Sequence, residues 1–200
     1  MDVRPEYQEL TIGVVALQGS FAKHAHSLGK LGIKSRAVRE AADLKLIDAL
    51  ILPGGESTTM TLLLEEEGLW EPMNEILDSM PVFGTCAGAI LLGQQVDDER
   101  VRCFNKIDYV AERNAYGRQI ESFSTSLIMP SLLDHDFHAI FIRAPKFRDI
   151  QPTVRQLAVF GADPVLLRQD NVLVASFHPE LTEDPGIHKY FVDEMVLKSR

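Results

Sequence analysis

The stretch Ala49-Leu50-Ile51-Leu52-Pro53-Gly54-Gly55-Glu56-Ser57-Thr58-Thr59 decides the fold class. Four apolar residues without polar alternation suit a strand buried on both faces, as in a parallel sheet. Pro53-Gly54-Gly55 stops that strand, and Ser57 to Glu67 then follows a helical pattern closed by Gly68. The same strand, turn and helix recur on either side. Upstream, Leu10 to Leu17 is an apolar run rich in Ile and Val. After Gln18-Gly19-Ser20, residues Phe21, Ala25 and Leu28 recur at helical spacing, with Gly32 just past the end. Downstream, Met73, Ile76, Leu77 and Met80 mark a helix, Val82-Phe83 a short strand ending at Gly84, and Ala87 to Leu92 another helix. This alternation predicts an α/β fold with a mostly parallel central sheet and helices on both faces.

The second half reads differently. Ile107 to Val110 and Ile120 to Ile128 suggest strands around a turn at Asn114-Ala115-Tyr116-Gly117. Ala139 to Ile142 and Val172 to Phe177 are further short strands. Asp184-Pro185 opens a last helix whose apolar face is Ile187, Tyr190, Phe191 and Met195. No linker, repeat or low-complexity tract interrupts the chain, so residues 1–200 are expected to form one domain.

Composition narrows the function class. An apolar share of 46% with 24% charged residues excludes disorder and fibrous architecture. The 29 acidic against 20 basic residues give a net charge of −9, which argues against nucleic-acid or anionic-membrane partners. The N-terminus lacks the apolar core of a secretory signal, and no apolar run approaches the roughly 18–20 residues of a membrane span. Two cysteines, Cys86 and Cys103, are too few for a disulfide scaffold, so the expected location is the cytoplasm.

The chemistry centres on Val82-Phe83-Gly84-Thr85-Cys86-Ala87-Gly88. A reactive side chain at a sharp strand-to-helix turn is a nucleophile elbow, here with cysteine. The helix N-terminus favours the thiolate, and the Ala87 N–H would face a developing oxyanion. The flanking glycines are expected to let the backbone take the strained turn. A buried cysteine serving as a small hydrophobe is the plainer alternative, and it fits Cys103 better. A cysteine nucleophile needs a base with an orienting partner. His178 follows the buried strand Val172–Phe177 and precedes Pro179-Glu180, so it would lie at the carboxyl edge of the sheet with Glu180 behind it. His24 and His26 fall on a helix, where a solvated or packed role is expected. Asp134, His135, Asp136 and His138 match no metal-ligand spacing, and no metal site is expected. The 53–59 loop could cradle an anion but lacks the lysine of a phosphate loop; a second oxyanion donor at Gly55 explains its glycines better.

Together, Gly84-Thr85-Cys86-Ala87-Gly88, Pro53-Gly54-Gly55-Glu56-Ser57-Thr58-Thr59 and Ser176-Phe177-His178-Pro179-Glu180-Leu181-Thr182 resemble triad-type (class I) glutamine amidotransferases. Ala16-Leu17-Gln18-Gly19, Glu112 to Gln119 and Phe141-Ile142-Arg143-Ala144-Pro145 narrow the resemblance to the glutaminase subunits of pyridoxal 5′-phosphate synthase. What the resemblance implies is a flavodoxin-like three-layer sandwich that hydrolyses L-glutamine to glutamate and ammonia, without a cofactor. The ammonia would pass to a synthase subunit that builds the vitamin B6 ring. Cys86 would be the nucleophile, His178 and Glu180 the relay, and Gly55, Glu56, Ser57, Arg113, Ile142 and Arg143 the glutamine contacts. Residues 94–107, with Asp97-Asp98-Glu99-Arg100 and Cys103, depart from the family's Leu-Gly-Leu-Leu-like segment. Two other classes compete: an elbow-type cysteine hydrolase acting without a partner, and an inactive relative, against which the intact triad argues.

Overall fold

The computed structural model describes residues 4–113, 115 and 122–200. A short helix α1 (Pro5–Gln8) leads into β1 (Thr11–Val15), α2 (Phe21–Lys30), β2 (Lys34–Val38) and, after a 3₁₀ turn, β3 (Ala49–Leu52). Then come α3 (Ser57–Glu66), α4 (Trp70–Ile76), β4 (Val82–Thr85), α5 (Ala87–Leu92), β5 (Gly93–Val96) and β6 (Ile107–Glu112). The rest of the chain supplies β7 (Ser122–Leu127), β8 (Phe137–Ile142), β9 (Lys146–Arg148), β10 (Arg155–Phe160), β11 (Asp163–Gln169), β12 (Val172–Ala175) and α6 (Gly186–Phe191).

Seven strands form the main sheet in the order β10-β11-β12-β4-β3-β1-β2. The five from β12 to β2 are parallel, and β10 and β11 extend that sheet by antiparallel pairing. Every residue of β3, β4 and β12 is buried, as expected for strands covered on both faces. Their side chains alternate between two cores. Ile51, Phe83 and Leu173 pack with Leu28 of α2 and Phe191 of α6 on one face. Leu50, Leu52, Val82 and Val174 pack with Met60, Met73 and Leu91 of α3, α4 and α5 on the other. The result is the expected three-layer sandwich. Two small sheets, β5-β6-β9 and the hairpin β7-β8, flank it.

Several elements differ from the sequence reading. β2 reads Lys34-Ser35-Arg36-Ala37-Val38 and buries only Val38, because an edge strand has no second neighbour to demand apolar residues. β5, β9 and β10 escape periodicity as short or half-exposed edge strands, and β11 because its buried centre Val165-Leu166-Leu167 is flanked by partly exposed, mainly polar residues on both sides. Helix α4 starts at Trp70 and ends at Ile76, earlier than the spacing of Met73 to Met80 predicts. The expected turn at 114–117 and the start of the strand at 120 lie outside the described residues, apart from Ala115. Among the described residues, no helix is long and apolar enough to cross a membrane.

Candidate active site

Parallel strands deliver their carboxyl ends to one edge of the sheet, and the turns that carry Gly55, Cys86 and His178 leave that edge. The turns after β1, β3, β4 and β12 meet there around a cavity of about 290 Å³.

Cys86 sits where β4 becomes α5, at φ 48° and ψ −103°. A non-glycine residue reaches this region only under strain that its surroundings sustain. Its N–H donates to the Ala175 carbonyl of β12 at 2.9 Å. The strain therefore falls on the cysteine, not on the flanking glycines as the sequence reading expects. Gly88 serves close approach instead: a Cβ there would lie 2.1 Å from the Leu52 oxygen, so α5 can lie directly against β3. Ala87 is the first residue of α5 and is buried behind the thiol.

Three residues beyond β12, His178 is pinned by its N–H, which donates to Ile140 of β8 at 2.8 Å. Its Nδ1 lies 2.8 Å from Glu180 Oε1, which also accepts the Ser20 hydroxyl at 2.6 Å. Cys86, His178 and Glu180 are all buried, at 6, 7 and 2% exposure. Burial opposes a charged imidazole, but the Cys86 sulfur and the Glu180 carboxylate beside it push His178 up to about 10. Burial likewise opposes ionisation of Glu180, yet His178 and the Ser20 hydroxyl, both hydrogen-bonded to it, hold its carboxyl well below the usual range. Such an arrangement keeps a proton on the imidazole facing the sulfur.

The remaining predicted residues line the same cavity. Gly55 and Glu56 follow β3, and Gln18 packs on them: its Oε1 accepts the Glu56 N–H at 3.1 Å. A Cβ at Gly54 would lie 2.3 Å from His178 Cε1, which explains that glycine by proximity. Neither Gly54 nor Gly55 has positive φ; in this double turn it is Gly19, at φ +88°, that needs glycine's freedom. The two turns are joined where Ser20 N–H donates to the Gly54 oxygen at 3.0 Å. The Ser57 hydroxyl is buried at the start of α3 with no hydrogen-bond partner among the described residues, leaving it available to a ligand. Arg113 follows β6 and reaches across to Glu56 Oε1 at 2.8 Å, while its other terminal nitrogen pairs with Asp98. Ile142 closes the opposite wall. Its carbonyl faces Cys86 Sγ at 3.8 Å, and Arg143 follows at φ 43°.

The structure thus brings Cys86, His178 and Glu180 together with the six predicted glutamine contacts, and adds Gln18, Ser20 and Asp98. The signal for the first two was the Gln18-Gly19-Ser20 turn at the end of a buried strand; Asp98 had none, since it comes from the divergent segment. His135 instead pairs with Asp134 and Asp184 on the surface. Among the described residues, no group of three or more His, Cys, Asp or Glu is placed to hold a metal ion.

A strained thiol, an imidazole backed by a carboxylate and a small polar slot ending in a guanidinium form equipment for attacking an amide next to an anchored carboxylate. Comparison with known proteins agrees with that chemistry. The sequence pattern of the SNO glutamine amidotransferase family matches residues 14–197. The pyridoxal 5′-phosphate synthase subunit PdxT of Thermosipho africanus is 48% identical over 92% of this chain and 98% of its own. That of Carboxydothermus hydrogenoformans is 43% identical over 93% and 98%. A crystal structure titled as a glutamine amidotransferase superposes with a TM-score of 0.85 at 46% identity, covering 91% of this chain and 97% of its own. The match runs from the first strand of the sheet to the last helical turn, and on that basis the chain belongs to the SNO glutamine amidotransferase family.

Proposed function

We propose that this chain hydrolyses L-glutamine to L-glutamate and ammonia at Cys86 and supplies the ammonia to the synthase subunit of a pyridoxal 5′-phosphate synthase. The observation that carries the reading is the buried line from Cys86 through His178 to Glu180 at the end of a slot closed by Arg113. The thiolate adds to the glutamine amide carbon, and the Ala87 and Gly55 N–H groups receive the oxyanion. His178 gives its proton to the departing nitrogen, which leaves as ammonia and forms a glutamyl thioester. His178, now neutral, takes a proton from water; the hydroxide adds to the thioester, and collapse releases glutamate and the thiolate. Thiol, imidazole and water supply every proton and electron pair. Glu56, Ser57, Arg113, Ile142 and Arg143 hold the substrate, Arg113 pairing with its carboxylate. The whole chain acts as one glutaminase domain, in the cytoplasm.

The joined Gln18-Gly19 and Gly54-Gly55 turns suit partner control. Rotating one peptide there removes an oxyanion donor, which costs roughly 10²–10³ in rate. The test is glutamate release at saturating glutamine, with and without the cognate synthase. A rise of tens-fold or more with synthase is expected, again on the order of one donor restored. Equal turnover in both samples removes the partner control, and release from peptides but not from glutamine overturns the function.

A further inference from the structure

Behind the triad lies a second polar layer that the mechanism above does not use. Glu180 Oε1 is fully engaged by His178 and Ser20, but Oε2 is buried with no hydrogen-bond partner among the described residues. It faces His24 Nε2, on α2, at 3.5 Å. His24 Nε2 also lies 3.1 Å from the Thr85 hydroxyl, one residue before the nucleophile, and its Nδ1 is 2.9 Å from His188 Nε2, on α6. Both rings are fully buried. Leaving a buried carboxylate oxygen without a donor is costly, so a polar side chain aimed at it from another helix calls for explanation.

Proton counting gives one. Burial holds both His24 and His188 below the usual imidazole range, so both rings are neutral and each carries one N–H. A carboxylate oxygen only accepts, which puts the His24 proton on Nε2. Nδ1 of His24 is then the acceptor, and His188 Nε2–H must donate to it. This leaves His188 Nδ1 as a bare lone pair, and that atom indeed has no partner among the described residues. The donors run in one direction, from α6 through α2 toward Glu180.

We infer that His24 is a positioning residue for the glutaminase reaction: held by His188, its Nε2–H supplies the donor for Glu180 Oε2 and keeps the carboxylate aimed at His178. The contact is 3.5 Å at rest and shortens in the working complex, as relay hydrogen bonds do. The groups facing His24 are Glu180 and His178 on the β12 side, Thr85 at the elbow and His188, with Ser20 on Glu180. The inference rests on the glutaminase reading above, and one arm of its test does not.

The experiment uses the full chain with its synthase. His24→Gln keeps a donor near Nε2, whereas His24→Asn is too short to reach Glu180 and His24→Leu removes polarity altogether. For His24→Leu the expected result is a tenfold or larger fall in kcat for glutamate release, with KM within twofold. His24→Gln should recover most of the loss and His24→Asn should not. In the second arm, iodoacetamide alkylation of Cys86 is followed against pH by mass spectrometry, without glutamine or synthase. A poorly held Glu180 stabilises the imidazolium less, so the acid limb of the profile should move up by about one pH unit in His24→Leu and His24→Asn, but not in His24→Gln. Should His24→Leu prove unfolded, the glutamine and asparagine variants decide. Identical kcat and identical alkylation profiles for those two overturn the inference, as does a loss of melting temperature with the profile unmoved. Wild-type protein that releases no glutamate with synthase present would instead sink the functional reading, while the alkylation arm still reports on His24.

Discussion

The two cysteines stand at opposite ends of one six-residue helix, and their surroundings could hardly differ more. Cys86 caps the N-terminus of α5, where its neighbours are the first helical N–H groups and the raised His178. Cys103 packs at the other end, its thiol directed at the Ile90 carbonyl at 3.5 Å. Its neighbours Phe104, Asn105 and Lys106 donate their N–H groups to the carbonyls of Leu91, Gly93 and Leu92, and so finish the helix. Burial pushes the Cys103 thiol up to about 11. The same side chain is the proposed nucleophile at one end and packing material at the other. The comparison also gives residues 94–107 a structural task. Phe104 stacks on Trp70 with ring centroids 4.0 Å apart, and Arg102 lies over the Trp70 ring at 4.6 Å.

The largest expected effect separates the two thiols by activity. Cys86→Ser should lower glutamate release by roughly 10³-fold or more, since a serine hydroxyl beside a base matched to a thiolate is a poor nucleophile. Cys103→Ser should stay within twofold of wild type. A large loss on changing Cys103 would erase the contrast.

Titration sharpens it further. A thiol raised to about 11 is protonated through neutrality, so its thiolate fraction grows about tenfold for each pH unit until that value is approached. Iodoacetamide labelling of Cys103 should therefore rise by that factor per unit from pH 7 to 9, with no plateau. Cys86 should lead it clearly at pH 7. Comparable labelling of both cysteines at neutral pH would mean that their environments do not set their reactivity.

The smallest effect on chemistry is expected from the packing end. Phe104→Ala removes the stack on Trp70 and should cost about 3–5 kcal/mol of stability, read as a lower melting temperature. The kcat of the folded fraction should remain within twofold. A drop in kcat with unchanged melting would assign the divergent segment to catalysis.

Much of this was written along the chain. Apolar runs bounded by Gly and Pro marked β1, β3, β4 and β12, because strands covered on both faces tolerate little polarity. Those strands end in the turns that carry Gly55, Cys86 and His178, so the triad and its order could be read from local sequence. Positions set by distant neighbours could not. β2 and β10 are the sheet's two edges, where half-exposed strands lose their apolar signature. Asp98 reaches Arg113 only because β5 and β6 pair. His24 and His188 look like ordinary helix residues, 164 positions apart, and become a buried pair only when α2 and α6 cover the same face of the sheet. Sequence determined where Cys86 and His178, the proposed nucleophile and base, lie and the edge on which they meet, since local backbone geometry and strand burial leave direct marks on residue choice. Tertiary structure alone decided what stands behind them, because a contact between distant helices depends on packing that no single stretch of chain records.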